Sequence, residues 1–145
     1  MSIFTGFHAS ASALTANRLR MDVVSSNMAN AETTRGELVD GEWQPYRRKM
    51  VSLTPNQSKQ DFQSFLHNEL KGVKVSAIER DNTPFKLVFQ PDHPDANEDG
   101  FVQMPNVDPL REMVDLMGAT RSYEANVTAL NASKNMLLKT LEIGK

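Results

Sequence analysis

Apolar positions in this chain keep two different rhythms. Near the N-terminus Phe4, Phe7, Ala11, Leu14, Met21, Val24 and Met28 recur at steps of three or four, with one gap at Arg18. That spacing predicts a helix over roughly residues 5–29, its other face carrying Ser, Thr and Asn rather than many charges. Near the C-terminus Leu110, Met113, Met117, Thr120, Val127, Leu130, Leu137 and Leu141 repeat the rhythm, interrupted at Glu124 and Lys134. Asn106-Val107-Asp108-Pro109 supplies a helix start, with an Asx cap and a proline in the first turn. A helix from about 108 to 142 runs roughly 50 Å.

The middle alternates instead. Val73, Val75 and Ala77 share one face, as do Phe85, Leu87 and Phe89. Both runs read as half-buried strands, which places Lys86 on the solvent side. Asp81-Asn82-Thr83-Pro84 and Asp99-Gly100 are turn signals, the second leading into a strand at Phe101-Val102. Tyr46 to Leu53 reads as another strand, and the Gln-rich stretch Thr54 to Asn68 as a loop or short helix.

Proline reinforces the division. Six of the seven prolines lie between Pro45 and Pro105, and none occurs before Pro45 or after Pro109. An interior proline costs a helix roughly 3 kcal/mol, so long helices are confined to the ends. The expected fold is α+β: long N- and C-terminal helices pairing as a coiled-coil-like helical domain, with a small β-rich insertion between them. Residues 1–35 and 105–145 form the discontinuous helical part, and 36–104 the β-rich part with a variable loop at about 54–70. Two helices bury only one seam between them, so the remaining apolar and Asn/Ser-rich surface calls for neighbours.

Composition adds mainly exclusions. The formal charge is −2, which gives no global reason to expect nucleic acid or an anionic membrane as partner. The charge falls largely in the middle: residues 1–30 sum to +1, 31–105 to −3 and 106–145 to zero. There is no cysteine, which removes disulfides and thiolate metal sites. Met1 to His8 has no basic start followed by an apolar run, so it does not read as a secretory signal peptide. No run is long and apolar enough to span a bilayer. Alone this points to the cytosol; a chain exported by a route without a cleaved signal looks the same.

Catalytic chemistry finds no foothold in the residues. His8, His67 and His93 lie near no Gly-x-Ser-x-Gly elbow, phosphate loop or His-Glu-x-x-His helix. His93 stands beside Asp92 and Asp95 in a proline-flanked turn. Asp95 to Gly100 matches the opening of a calcium loop, but Asn106 occupies the twelfth position, which needs a bidentate Glu. An Asx-rich turn into a strand is the plainer reading. Arg47-Arg48-Lys49, near Trp43 and Tyr46, makes a weak nucleic-acid patch. In a strand it puts 47 and 49 on one face and 48 on the other, a solvated or partner-facing arrangement. No enzyme and no cofactor is expected.

The distinctive residues sit in the terminal helices. Asn27-Met28-Ala29-Asn30-Ala31-Glu32-Thr33 ends the first; the last carries Met113-Val114-Asp115-Leu116, Arg121-Ser122-Tyr123-Glu124-Ala125-Asn126 and Leu130-Asn131-Ala132-Ser133-Lys134. Here the chain resembles the flagellar axial (rod and hook) protein family. Asn27, Ala29, Asn30 and Thr33 match its Asn-x-Ala-Asn-x-x-Thr signature. Thr34-Arg35-Gly36, Met104 to Pro109, Glu112 to Asp115, Arg121 to Asn126 and Lys139 to Gly144 resemble the proximal rod type. The likeness covers most of the chain and is weakest at 54–70.

The resemblance implies a structural subunit exported by the flagellar type III apparatus without a cleaved signal and assembled into a helical tube in the periplasm. That tube carries torque from motor to hook. Its implied partners are other rod subunits, the rod-to-ring adaptor, the membrane-embedded ring and copies of the chain itself, with no nucleic acid and no direct membrane insertion. The candidate assembly residues are Leu14, Met21, Asn27, Ala29, Asn30, Thr33, Met113, Met117, Arg121, Tyr123, Glu124, Asn126, Leu130 and Leu137. A soluble coiled-coil adaptor or chaperone-like binding module, which needs only the amphipathic ends, is the alternative.

Overall fold

A computed structural model describes residues 3–56 and 72–143, with side chains in the first helix from residue 6 onward. The elements follow the order α1 (Ile3–Ala29), β1 (Glu37–Val39), β2 (Glu42–Gln44), β3 (Lys49–Pro55), β4 (Val73–Arg80), β5 (Lys86–Phe89), β6 (Phe101–Met104) and α2 (Pro109–Ile143). The fold is α+β with a long helix at each end. Among the described residues no helix is long and apolar enough to cross a membrane. Most of the stretch expected as a loop or short helix, Thr54 to Asn68, lies outside the described residues.

The start of α2 follows its sequence signal. Pro109 occupies the first turn, where its missing N–H costs nothing, and Asp108 Oδ1 accepts the Leu110 N–H at 3.1 Å. The end of α1 is closed by the motif. Asn30 Nδ2 donates to the Ser26 carbonyl at 2.8 Å and the Thr33 hydroxyl to Asn30 Oδ1 at 3.3 Å. The Ser26 carbonyl also accepts the Asn30 N–H at 3.2 Å, and the Met28 carbonyl accepts the Ala31 N–H at 3.3 Å, which closes the last turn.

The strands form three two-stranded sheets, β1–β2, β3–β4 and β5–β6. The β1–β2 hairpin is absent from the sequence expectation, yet its signal was there: Asp40-Gly41. Asp40 takes φ 53° and Gly41 φ 88°, the two positive values that a tight hairpin turn requires. Strand β3 begins at Lys49 rather than Tyr46 because the preceding N–H groups are taken elsewhere. Tyr46 N–H donates to the Thr33 carbonyl at 3.0 Å and Arg48 N–H to Asn106 Oδ1 at 2.8 Å.

The β5–β6 pair corrects the expected faces. Lys86 lies opposite Met104 and Val88 opposite Val102, so one face holds these four; Leu87, Phe89, Phe101 and Gln103 form the other. Val102 is fully buried, while Leu87 and Phe89 are 65 % and 63 % exposed. Their face, read as half-buried from the alternation, is open, and Phe89 and Phe101 cover one another edge-to-face at 5.3 Å. Lys86 is exposed but not idle: Nζ donates to the Val107 carbonyl at 2.9 Å.

The chain divides into two compact units. The first comprises Met1–Met21, Val51–Ala77 and Met117–Lys145. In it, Gly72 lets β4 start hard against α1. Its φ is +84°, a Cβ there would collide with the Ser12 hydroxyl, and that hydroxyl accepts the Val73 N–H at 3.1 Å. Among the described residues, Ala16 and Ala119 are the buried hydrophobics here. Half-buried positions on α2 then fall at Tyr123, Asn126, Val127, Leu130, Ser133 and Leu137, along one side of the helix. The Thr120 hydroxyl meets Met21 Sδ at 3.5 Å.

The second unit comprises Asp22–Met50 and Ile78–Leu116. It holds Val23, Val24, Asn27, Arg48, Val102, Val107 and Glu112, all buried. The stripe predicted on α2 is displaced from the inward face. Leu110 and Met113 are 75 % and 49 % exposed, while Glu112 is fully buried. Hydrophobic spacing misses this inward position because the residue that fills it, Glu112, is charged.

Candidate functional site

The second unit is organised around one side chain, Asn27, which uses its whole hydrogen-bonding capacity. Nδ2 donates to the Lys49 carbonyl at 2.9 Å and to Glu112 Oε2 at 2.9 Å. Oδ1 accepts the Lys49 N–H at 3.0 Å and the Tyr46 hydroxyl at 3.0 Å. Two donors and two acceptor sites are all that a primary amide has. Toward Lys49 it acts as a neighbouring strand would, giving one bond and taking one. The helix thus supplies, through a side chain, the edge that the first residue of β3 would otherwise lack.

Glu112 is bound from a second direction. Its Oε1 accepts Arg48 Nε at 2.6 Å, while the Arg48 side chain is 9 % exposed and that of Glu112 not at all. Arg48 also reaches Asp81 and Asp115, each at 3.5 Å. Burial alone would lower the Arg48 pKa; the carboxylates of Glu112 and Asp81 outweigh it and hold the guanidinium above its usual value. The Asp81 carboxyl is held below its usual value, first by the Thr83 N–H, against some opposing burial, and further by the Thr83 hydroxyl and Arg48. Asn106 closes the cluster: Oδ1 accepts the Arg48 N–H, and Nδ2 donates to Thr83 Oγ1 at 2.9 Å. Among the described residues no buried side-chain nitrogen or oxygen lacks a partner.

This arrangement revises the reading of the basic triplet. The alternation is as expected, but Arg48 is neither solvated nor free for a partner. Arg47 instead stacks over Phe85 at 4.5 Å and Lys49 lies 5.5 Å from the Tyr46 ring. The Asp95–Gly100 segment is the Asx-rich turn read from the sequence. Asn97 Oδ1 accepts the N–H groups of Asp99 at 3.2 Å and Phe101 at 2.7 Å, and Asp95 binds Arg35 and Thr34. His93 Nδ1 accepts the Asp95 N–H at 3.1 Å and so caps its own turn. An open hollow of about 290 Å³ is lined by Asp22, Val23, Ser26, Lys49, Ile78 and Arg80. Its Arg80 is bound to both oxygens of Glu37, at 2.8 and 3.2 Å, and nothing there pairs a base with a nucleophile.

The candidate assembly residues fall in three settings. Asn27 is buried, and Asn30 and Thr33 close the end of α1. Leu14, Met21, Tyr123, Asn126, Leu130 and Leu137 are half-buried in the first unit. Ala29, Met113, Met117, Arg121 and Glu124 are exposed. Asn126 Nδ2 turns back to the Ser122 carbonyl at 2.8 Å. The sequence pattern did not mark Glu112 as the inner partner of Asn27, nor Arg48 and Asn106 as members of the same cluster; the one available signal was an acidic residue placed between apolar positions on a helix.

Two family models match the terminal regions of the chain. A family model described as flagella basal body rod protein matches residues 7–35. Another, described as flagellar basal body rod FlgEFG protein C-terminal, matches residues 98–143. These matches define the class: structural subunits of the flagellar basal-body rod, which are not enzymes. The relatives narrow it. The chain is 60 % identical to the flagellar basal-body rod protein FlgC of Bacillus subtilis, with both chains covered in full. It is 43 % identical to that of Escherichia coli O6:H1 over the full length of both, and 39 % identical to that of Borreliella burgdorferi over 99 % of this chain and 98 % of that one. The chain belongs to the FlgC family of flagellar basal-body rod proteins, the proximal rod type that its motifs resemble.

Proposed function

We propose that this chain polymerises through its terminal helices into the helical tube of the proximal rod and there carries torque from motor to hook. The observation that carries the reading is the far end of α2. Behind the half-buried row that ends at Leu137, Met136, Leu138, Leu141 and Ile143 are 61 %, 49 %, 70 % and 86 % exposed. Apolar side chains on both sides of one helix need more than one neighbour.

In this reading residues 1–35 and 105–145 form the assembly domain and 36–104 pack outside it. Leu14, Met21, Met113, Met117, Arg121, Tyr123, Glu124, Leu130 and Leu137 meet neighbouring subunits, while Asn27, Ala29, Asn30, Thr33 and Asn126 shape the helices that do so. Contacts between unlike surfaces whose rotation does not close a ring let copies of the chain and other rod subunits add along a helical path. Helices packed side by side resist twisting. The partners are other rod subunits, the rod-to-ring adaptor and the ring, met in the periplasm after export by the flagellar type III apparatus without a cleaved signal. Helix ends that order only on assembly suit a narrow export channel and disfavour early polymerisation.

Leu141→Asp tests the proposal. The residue is exposed, so the subunit folds unchanged, but in the tube each copy buries an unpaired carboxylate. Loss of swimming, with purified basal bodies that lack a complete rod in electron microscopy, is expected. Full-length rods in this variant would refute assembly through α2. Leu130→Arg is the less clean variant, since Leu130 is already half-buried within its own unit.

A further inference from the structure

We infer that the buried Asn27–Arg48–Glu112 cluster is a register lock, which makes ordering of the end of α1, the start of β3 and the first turns of α2 a single event. The two oxygens of Glu112 are satisfied by different elements, Oε1 by Arg48 next to β3 and Oε2 by Asn27 of α1. Neither partner alone is enough: a carboxylate with no exposure and one empty oxygen is a poorly compensated buried charge. Asn27 in turn has no bond to spare. Turning its amide over sets donor against donor at the Lys49 N–H and acceptor against acceptor at the Lys49 carbonyl and Glu112 Oε2, and moving β3 by one residue takes the Lys49 N–H and carbonyl away from it.

The basic triplet makes such a lock necessary. Arg47, Arg48 and Lys49 are consecutive, so a one-residue slip of the strand still offers a cation to Glu112. Alternation alone resists the slip weakly here, because Met50 and Leu53 of β3 are themselves exposed. What distinguishes the native pairing is geometry. The guanidinium fork reaches Glu112, Asp81 and Asp115 from one side chain, and an ammonium in the same slot lacks that reach. An apolar trio would hold the unit as firmly but would accept several registers, and this trade of stability for a single arrangement is a known use of buried polar groups.

Native-state hydrogen exchange on the full-length chain tests the lock. In the wild type, amides at Asn27–Met28, Arg48–Lys49 and Asp115–Leu116 are expected to exchange through one opening, with the same protection and the same denaturant dependence. Separate openings would overturn the proposal. In Arg48→Lys all three segments are expected to exchange at least about a hundredfold faster together; acceleration confined to the strand, or no change, would overturn it. The double variant Arg48→Met/Glu112→Leu adds the specificity arm. It is expected to show more than one amide signal for residues 27, 48, 49 and 112. A single set of signals would mean that the polar groups do not select the register. Should the double variant not fold, the wild-type exchange pattern decides.

Discussion

The two units of this chain contrast in what holds them. In the second unit, valines from α1 and β6 are buried together with an asparagine, an arginine and a glutamate that use one another's hydrogen-bonding capacity. In the first, the buried hydrophobics among the described residues are Ala16 and Ala119, and Met136, Leu138, Leu141 and Ile143 of the final helical turns face outward. Alanine contributes little burial, so a row of small residues lets helices approach closely without holding them firmly. The contrast teaches that one chain can hold one region through a satisfied polar cluster and leave large apolar side chains of the other exposed.

The largest test of that contrast is Glu112→Leu. It takes the nearest carboxylate from the buried Arg48 guanidinium and the acceptor from Asn27 Nδ2, and is expected to destabilise the second unit by about 3–5 kcal/mol, read as a lower urea midpoint by circular dichroism. If the loss were under about 1 kcal/mol, the polar cluster would not be what holds that unit.

Acid sharpens the same point. The Asp81 carboxyl sits below its usual value of about 3.8 when folded, so the unfolded chain takes up that proton first as the pH drops. Its contribution is fully present above pH 3.8 and is lost as the pH falls through the lower folded value. An acid melting series should show this loss in the second unit, and Asp81→Asn should flatten that part of the profile.

A smaller effect is expected from Lys86→Ala. The lysine's bond to the Val107 carbonyl ties β5 to the segment before α2, and losing it should cost about 1 kcal/mol. An unchanged melting temperature would return Lys86 to the purely solvated role that its strand position suggests. Smallest of all is Leu138→Ser in the first unit. The side chain is 49 % exposed, so the isolated subunit should change by under about 0.5 kcal/mol. A drop of 2 kcal/mol would show that the first unit is held from within after all.

Much of the architecture was legible because its causes are local. Proline placement confined the helices to the ends, Asp108-Pro109 marked where α2 starts, and Asn97 to Gly100 turned the chain into β6. The Asp40-Gly41 hairpin was equally local and was overlooked, although two consecutive residues tolerant of positive φ are a strong turn signal. The motif Asn27-x-Ala-Asn-x-x-Thr33 pointed to the family, and two of its residues do local work at the end of α1.

The inward faces were decided otherwise. Asn27 and Glu112 are 85 positions apart, and Arg48 and Glu112 are 64 apart. Whether a glutamate on a helix points to water or into the interior depends on whether distant segments bring it donors, since an unpaired buried carboxylate is too costly and a paired one is not. The rhythm of Leu110, Met113 and Met117 therefore described a real stripe on α2, yet one that faces outward in the subunit. Local spacing determined that these residues share a face; only the long-range pairing of Arg48 and Asn27 with Glu112 determined which face turns in.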